Sequence, residues 1–394
     1  MLLLAPYAKL LHHPSVRGLF LASALGRLPI GIAGLAILLL AQQASGSYAL
    51  GGLVSGCYVA GLAAVAPLLG RSIDRFGPRP TLLACAFVYP AALGALAAAF
   101  TSQAPAWVAP ALAAAAGASF PPITACMRAL FKQRFAEDAQ LAAAYSLESV
   151  LIEILFIAGP MLVALFVGLA SPATAVLFAA ACGFAGTLLF VRSRGLAEWR
   201  HAPRASASLF GPLGDPAFVR LIAVVLLYAS AFGLVEIGVT AYALERGAPA
   251  LAGVLLGVMS IGSAAGGLVY GARTWGLPLA RQFPVTLALM GLGIAPLALA
   301  LPAWLWALWC AIAGIVMAPA LIMQSMLVAR ASRPEHSTEA FTWSATGLLA
   351  GVGCGLALGG QLLESARSPA VFAAAGAVSL LAAALALRFV RGPR

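Results

Sequence analysis

Charge is what this sequence has least of. Only 9% of its 394 residues are Asp, Glu, Lys or Arg, against 62% that are hydrophobic. A soluble domain carries roughly a quarter charged residues, so a single water-soluble core is excluded and lipid must be the solvent for much of the chain. Other absences narrow the chemistry. No glycine-rich phosphate loop lies outside the hydrophobic runs, which argues against ATP-driven work. His12, His13, His201 and His336 have no acid or cysteine at ligand spacing, and nothing resembles a nucleophile-bearing turn. No metal, no cofactor and no enzymatic activity are therefore expected. Cys57, Cys85, Cys126, Cys182, Cys310 and Cys354 fall singly within hydrophobic runs and read as small packing residues. The first 20 residues contain His12, His13, Pro14 and Arg17 without a small-residue cleavage site, so no removable signal peptide is expected.

What the chain does have is length in apolar runs. A span needs about 20 mostly apolar residues, and it must be helical because no water satisfies the backbone inside a bilayer. Twelve such runs are predicted, at 15–41, 48–70, 80–101, 105–127, 141–168, 172–192, 217–243, 250–272, 283–301, 303–328, 338–362 and 369–390. They leave no room for a soluble domain. The net charge of +11 is a topology signal. With both termini in the cytoplasm, twenty of the 23 Lys and Arg fall on cytoplasmic loops, tails or span edges, as the positive-inside tendency requires. Outside loops hold only Arg246 and Arg367, and Arg27 lies within a span. This predicts a multi-pass protein of an inner or plasma membrane, with lipids and no nucleic acid as partners.

An internal repeat is visible. Ala49, Leu50, Gly52, Gly56, Gly61 and Gly70 recur as Ala250, Leu251, Gly253, Gly257, Gly262 and Gly271, a constant shift of 201 residues. Gly117 and Pro122 are echoed by Gly314 and Pro319, and Glu137, Tyr145 and Ser146 by Glu335, Trp343 and Ser344. The echoes predict a duplicated six-helix unit in parallel orientation: a half at 1–192, a linker at 193–216 and a half at 217–394. The linker is basic and polar, as a tether should be, and its Leu209-Phe210 pair suits a membrane surface. Gly52 and Gly56, with Gly253 and Gly257, form Gly-xxx-Gly faces on which helices approach closely, either as pivots or as static packing.

Between the second and third runs stands Gly70-Arg71-Ser72-Ile73-Asp74-Arg75-Phe76-Gly77-Pro78-Arg79-Pro80-Thr81-Leu82. Gly70, Asp74, Arg75, Gly77, Arg79 and Leu82 match in register the pattern Gly-x-Leu-Ala-Asp-Arg-x-Gly-Arg-Lys/Arg-x-x-Leu. The segment resembles the signature loop of the major facilitator superfamily of secondary transporters. Pro78 stands where that pattern has a first basic residue. The resemblance implies an all-α membrane fold of twelve transmembrane helices in two six-helix halves. It implies a substrate site near the midplane, lined by spans 1, 4, 7 and 10 and flanked by 2, 5, 8 and 11. It also implies that Gly70, Asp74, Arg75, Gly77 and Arg79 form a conformational latch, with Asp74 at the start of a helix in the opposite half. Arg75 and Arg79 would be its partners or lipid-headgroup contacts. The alternative is that these arginines only fix topology.

Four ionisable residues lie inside spans: Arg27, Glu148, Glu153 and Glu236. Charge there is costly and marks function by default. Glu148 and Glu153 are about 7.5 Å apart along one helix and rotated by about 140°, so they cannot share a narrow face. One can look toward Arg27 and the other toward a cavity or neighbouring helix. An acid exchanging between Arg27 and a proton would couple transport to protons; a structural ion pair is the alternative. Arg27 could instead hold an anionic substrate by bidentate hydrogen bonds. Ala158-Gly159-Pro160 in span 5 resembles part of the motif of the antiporter branches, without the glycines that flank it there. Gly159 and Pro160 thus point to export, and Pro121-Pro122 to a kink near the cytoplasmic end of span 4. The expectation is a monomeric secondary transporter moving a small organic molecule by proton-coupled export. Proton-coupled uptake of an organic anion and a non-transporting sensor or scaffold are the alternatives.

Overall fold

The structure is a computed structural model that describes residues 5–12, 14–102, 104–200, 211–248, 250–299 and 302–389. Leu209 and Phe210, expected at a membrane surface, lie outside the described residues. Among those described, the regular structure is helical: α1 Ala5–Leu11, α2 Pro14–Arg27, α3 Pro29–Ser45, α4 Tyr48–Phe76, α5 Pro78–Thr101, α6 Val108–Ala118, α7 Ile123–Arg134, α8 Asp138–Leu169, α9 Pro172–Arg192, α10 Arg194–Ala197, α11 Pro216–Glu245, α12 Ala250–Ala272, α13 Leu279–Ile294, α14 Ala303–Gly314, α15 Met317–Ala331, α16 Ser337–Ser365 and α17 Ser368–Phe389. Eleven helical stretches among them are long and apolar enough to cross a membrane. The twelfth is α13, whose 16 residues fall short alone and are continued by a 3-10 turn at Ala295–Ala298. It begins four residues before the predicted 283–301, and Pro296 ends the regular helix short of the predicted end.

Three spans are broken, two of them at prolines. Pro29 has no N–H to bond Leu25, so the Leu25 carbonyl takes Leu28 instead and the first span becomes α2 and α3. Pro121 and Pro122 divide the fourth span into α6 and α7. That break lies mid-span, not near the end as predicted, because the helix resumes for a further 12 residues. The tenth span divides at 315–316 into α14 and α15. Pro160, in contrast, stays inside an unbroken α8.

Backbone-on-backbone crossings hold the spans together. A Cβ on Gly61 would lie 2.1 Å from the Ala114 carbonyl of α6, and one on Gly262 would lie 2.0 Å from the Ala311 carbonyl of α14. These repeat-related glycines are the close-packed ones. Gly52, Gly56, Gly253 and Gly257 have no such neighbour within 4 Å, so the Gly-xxx-Gly faces expected from the sequence are open in this conformation. Leu21, Phe87, Ile154, Met161, Val254 and Ile261 are exposed along the helices, as a lipid solvent allows.

Candidate functional site

Helices α2–α9 meet helices α11–α17 mainly through α4 against α16 and α8 against α12. The polar bonds between the two sets gather toward one end, the end of the 70–82 loop. Gly77 turns the chain from α4 to α5 with φ +86°, a conformation that side chains disfavour, and Pro78 opens α5 at its first position. This holds Asp74 at the tip of α4. Its Oδ1 accepts from the Thr338 N–H at 2.9 Å and its Oδ2 from the Glu339 N–H at 2.8 Å, at the start of α16. A carboxylate there satisfies two otherwise unpaired amides and meets the positive end of the helix dipole. Gly70 makes the approach possible, since a Cβ would come within 2.4 Å of Thr342.

Of the two roles expected for Arg75 and Arg79, pairing with Asp74 is not seen, and both side chains are exposed. Arg71 pairs with Glu339, its Nη2 2.6 Å from Oε1. Arg75 lies over the Phe76 ring and is exposed, and no bond joins Arg79 to Asp74. Asp74 at the tip of α4 faces backbone amides of α16 rather than either arginine.

Further bonds close the same end. Lys132 donates to the Ser332 carbonyl at 2.6 Å and hydroxyl at 2.8 Å, and Arg330 pairs with Asp138. Higher up, Thr346 donates to the Ala63 carbonyl at 2.8 Å. Tyr7 of α1 bonds Ser146 of α8 at 3.0 Å and the Leu268 carbonyl of α12 at 2.5 Å, so the short first helix straddles both sets.

Deeper in the first set lies a buried charge cluster. Gly26 crosses α9 at Gly186 with no space for a side chain on either, which seats Arg27 in the interior. Arg27 Nη1 is 2.9 Å from Glu148 Oε1, and Arg128 Nε is 2.8 Å from Glu148 Oε2. Arg27 also bonds the Thr124 hydroxyl, the Ser23 hydroxyl and the Ser23 carbonyl. Arg27 and Glu148, two of the four charges expected to serve the substrate site, are both fully buried and out of reach of water in this conformation. The guanidinium is occupied on every side by protein.

Glu153 faces another way. Its Oε1 accepts from the Ser263 hydroxyl of α12 at 2.7 Å, across the seam between the sets. Glu236 on α11 is exposed and has no ion pair among the described residues. Gly159 meets α3 at Gly31, where a Cβ would lie 2.4 Å from the Gly31 backbone, and Pro160 follows on an outward face. Arg128 and Glu339 escaped the sequence reading. The predicted fourth span ended at residue 127, one short of Arg128, which therefore looked like a span-edge cation. Thr124 and Arg128, one helical turn apart, were the available sign that α7 continued inward.

No curated protein sequence matches the chain. Among solved structures, the human organic anion transporter MFSD10 (TETRAN) shares 17% identity over 95% of this chain and 99% of its own, with a TM-score of 0.71. A bacterial homologue of the iron transporter ferroportin in its outward-facing state shares 14% identity over 95% and 98%, with a TM-score of 0.78. At such identities the likeness is one of fold. The family model described as Major Facilitator Superfamily matches residues 19–336. With the membrane-spanning helices, the Asp74 contact and that match together, the chain belongs to the major facilitator superfamily and is a multi-pass membrane transporter.

Proposed function

We propose that the protein exports a small organic molecule by alternating access in exchange for protons, with Glu153 carrying the proton. The observation behind this is the setting of Glu153. Its carboxyl group lies at mid-helix on the seam between the two sets, with a hydroxyl and no cation as its bonded partner. Charge is costly at that depth, and taking up a proton removes the cost. Glu148 is unsuited to the task, because both of its oxygens are committed to guanidinium groups. Glu236 is the second candidate carrier, exposed on α11.

In this reading residues 1–192 and 217–394 rock as two bodies about a midplane site, tethered by 193–216. The 70–82 loop lies in the cytoplasm, in accord with the positive-inside tendency, so the conformation described is open to the outside. Asp74, Gly70 and Gly77 form the latch, and the Arg71–Glu339 pair takes the part foreseen for Arg75 and Arg79. Such a contact contributes about 0.3–1 kcal/mol, enough to bias a near-balanced equilibrium without locking it. The protein works as a monomer in an inner or plasma membrane. Export is favoured by the Gly159-Pro160 segment. Uptake of an anion held on Arg27 is the second reading, and the four protein bonds that already hold its guanidinium weigh against it.

The test compares metabolites inside and outside cells expressing the chain or its Glu153→Gln variant. A compound depleted inside and enriched outside only with the unmodified chain is the expected result. Equal export by both, at equal membrane expression, would remove Glu153 as the carrier; enrichment inside would reverse the direction.

A further inference from the structure

The buried cluster does not balance. Arg27 and Arg128 bring two positive charges and Glu148 one negative, and all three are at least nine-tenths buried. Glu148 shares its single negative charge between the two guanidinium groups, one oxygen bonded to each. Arg27 is nearly saturated: four of its five N–H groups have protein acceptors, shared among Nε, Nη1 and Nη2. Arg128 is not. Its Nε is bound to Glu148, which fixes the plane of the group, but its two terminal nitrogens have no acceptor among the described residues, and neither is among the sealed-off unpaired atoms. A small part of the side chain, 11%, remains accessible.

Among the described residues, no acid of the second set pairs with the cluster. That set's repeat-related polar group is neutral: Tyr228, which is Arg27 shifted by 201 residues, bonds Gln324, and Gln324 bonds Ser344 at 2.6 Å. Tyr228 lies within electrostatic reach of the Arg128 charge across the seam. An arginine plane held by its Nε, with its outer fork vacant and its charge unmatched, is complementary to a planar or tetrahedral oxyanion bound by two parallel hydrogen bonds.

We infer that the Arg128 fork is an anion-binding subsite, and that the transported molecule carries a carboxylate or a phosphorus or sulfur oxyanion at the end that meets α7. This rests on the transport reading for its meaning but not for its test. Glu148 is then the positioning residue that orients Arg128, and Arg27 the cation that holds Glu148 in place.

The experiment measures thermal unfolding of the purified full chain in detergent at matched ionic strength. The probes are sodium benzoate, sodium phenylphosphonate and the neutral analogue benzamide. At least one anion is expected to raise the unfolding temperature saturably, with no effect of benzamide. Arg128→Lys keeps the charge beside Glu148 but loses the fork, and should need roughly tenfold more anion or worse for the same shift. Arg273→Gln, in the loop after α12, should behave as the parent. The inference is overturned if neither anion protects, if benzamide protects equally, or if a well-folded Arg128→Lys variant keeps the parent's response. Protection with no exported metabolite would leave the subsite standing and sink the proton-coupled export reading alone.

Discussion

A carboxylate shared by two guanidinium groups is worth most when it is removed. Glu148→Gln keeps the size and one hydrogen-bonding oxygen but leaves two uncompensated charges, Arg27 fully buried and Arg128 nearly so. Breaking a buried ion pair in this way costs about 3–5 kcal/mol. The variant is therefore expected to express poorly and to unfold at a markedly lower temperature in detergent, whereas Glu153→Gln should unfold like the parent while losing transport. Equal thermal stability of the two variants would show that the cluster does not hold the first set together. The charges themselves were legible in the sequence, because Arg27, Glu148 and Glu153 interrupt apolar runs. Their pairing was not. Helical geometry relates Glu148 to Glu153 but says nothing about which neighbouring helix either one meets, and Arg128 was hidden by one residue at a misplaced span end.

At the level of elements, the duplicated glycines divide into two kinds. Gly61 and Gly262 lie against carbonyl oxygens of α6 and α14, so a larger side chain must push two helices apart. Gly56 and Gly257 face open space. Gly61→Leu is expected to cost more than about 2 kcal/mol through overpacking, and Gly56→Leu to fall within about 0.5 kcal/mol of the parent; a comparison of unfolding temperatures in detergent reads the difference. The repeat spacing marked all of these positions equally. Spacing records which residues were duplicated, but not which face of each helix turns toward a neighbour. The helices themselves were readable because lipid demands long apolar runs, while the breaks at Pro29 and Pro121-Pro122 depend on where freed carbonyls find new donors. The short α13 shows the same limit, since hydropathy continues past Pro296 where regular hydrogen bonding does not.

For the molecule as a whole, what matters is that the bonds between the two sets gather toward one end. Ala63 and Thr346 mark the upper part of that zone, with the Thr346 hydroxyl 2.8 Å from the Ala63 carbonyl. Cysteines placed at both positions, in a background without the six native ones, are expected to cross-link on oxidation and stop transport until a reductant is added. Transport that continues through a complete cross-link would show that the sets do not part along this seam. The chain also contains only two lysines, Lys9 and Lys132. Lys9 is exposed on α1, while Lys132 is half-buried with its ammonium group held by Ser332 of the opposite set. The two amines therefore report differently on the gate. An amine-directed reagent would mark Lys9 at a steady rate and Lys132 only when the seam opens, so the ratio of the two labels would time the rocking of the unmodified protein in its own membrane.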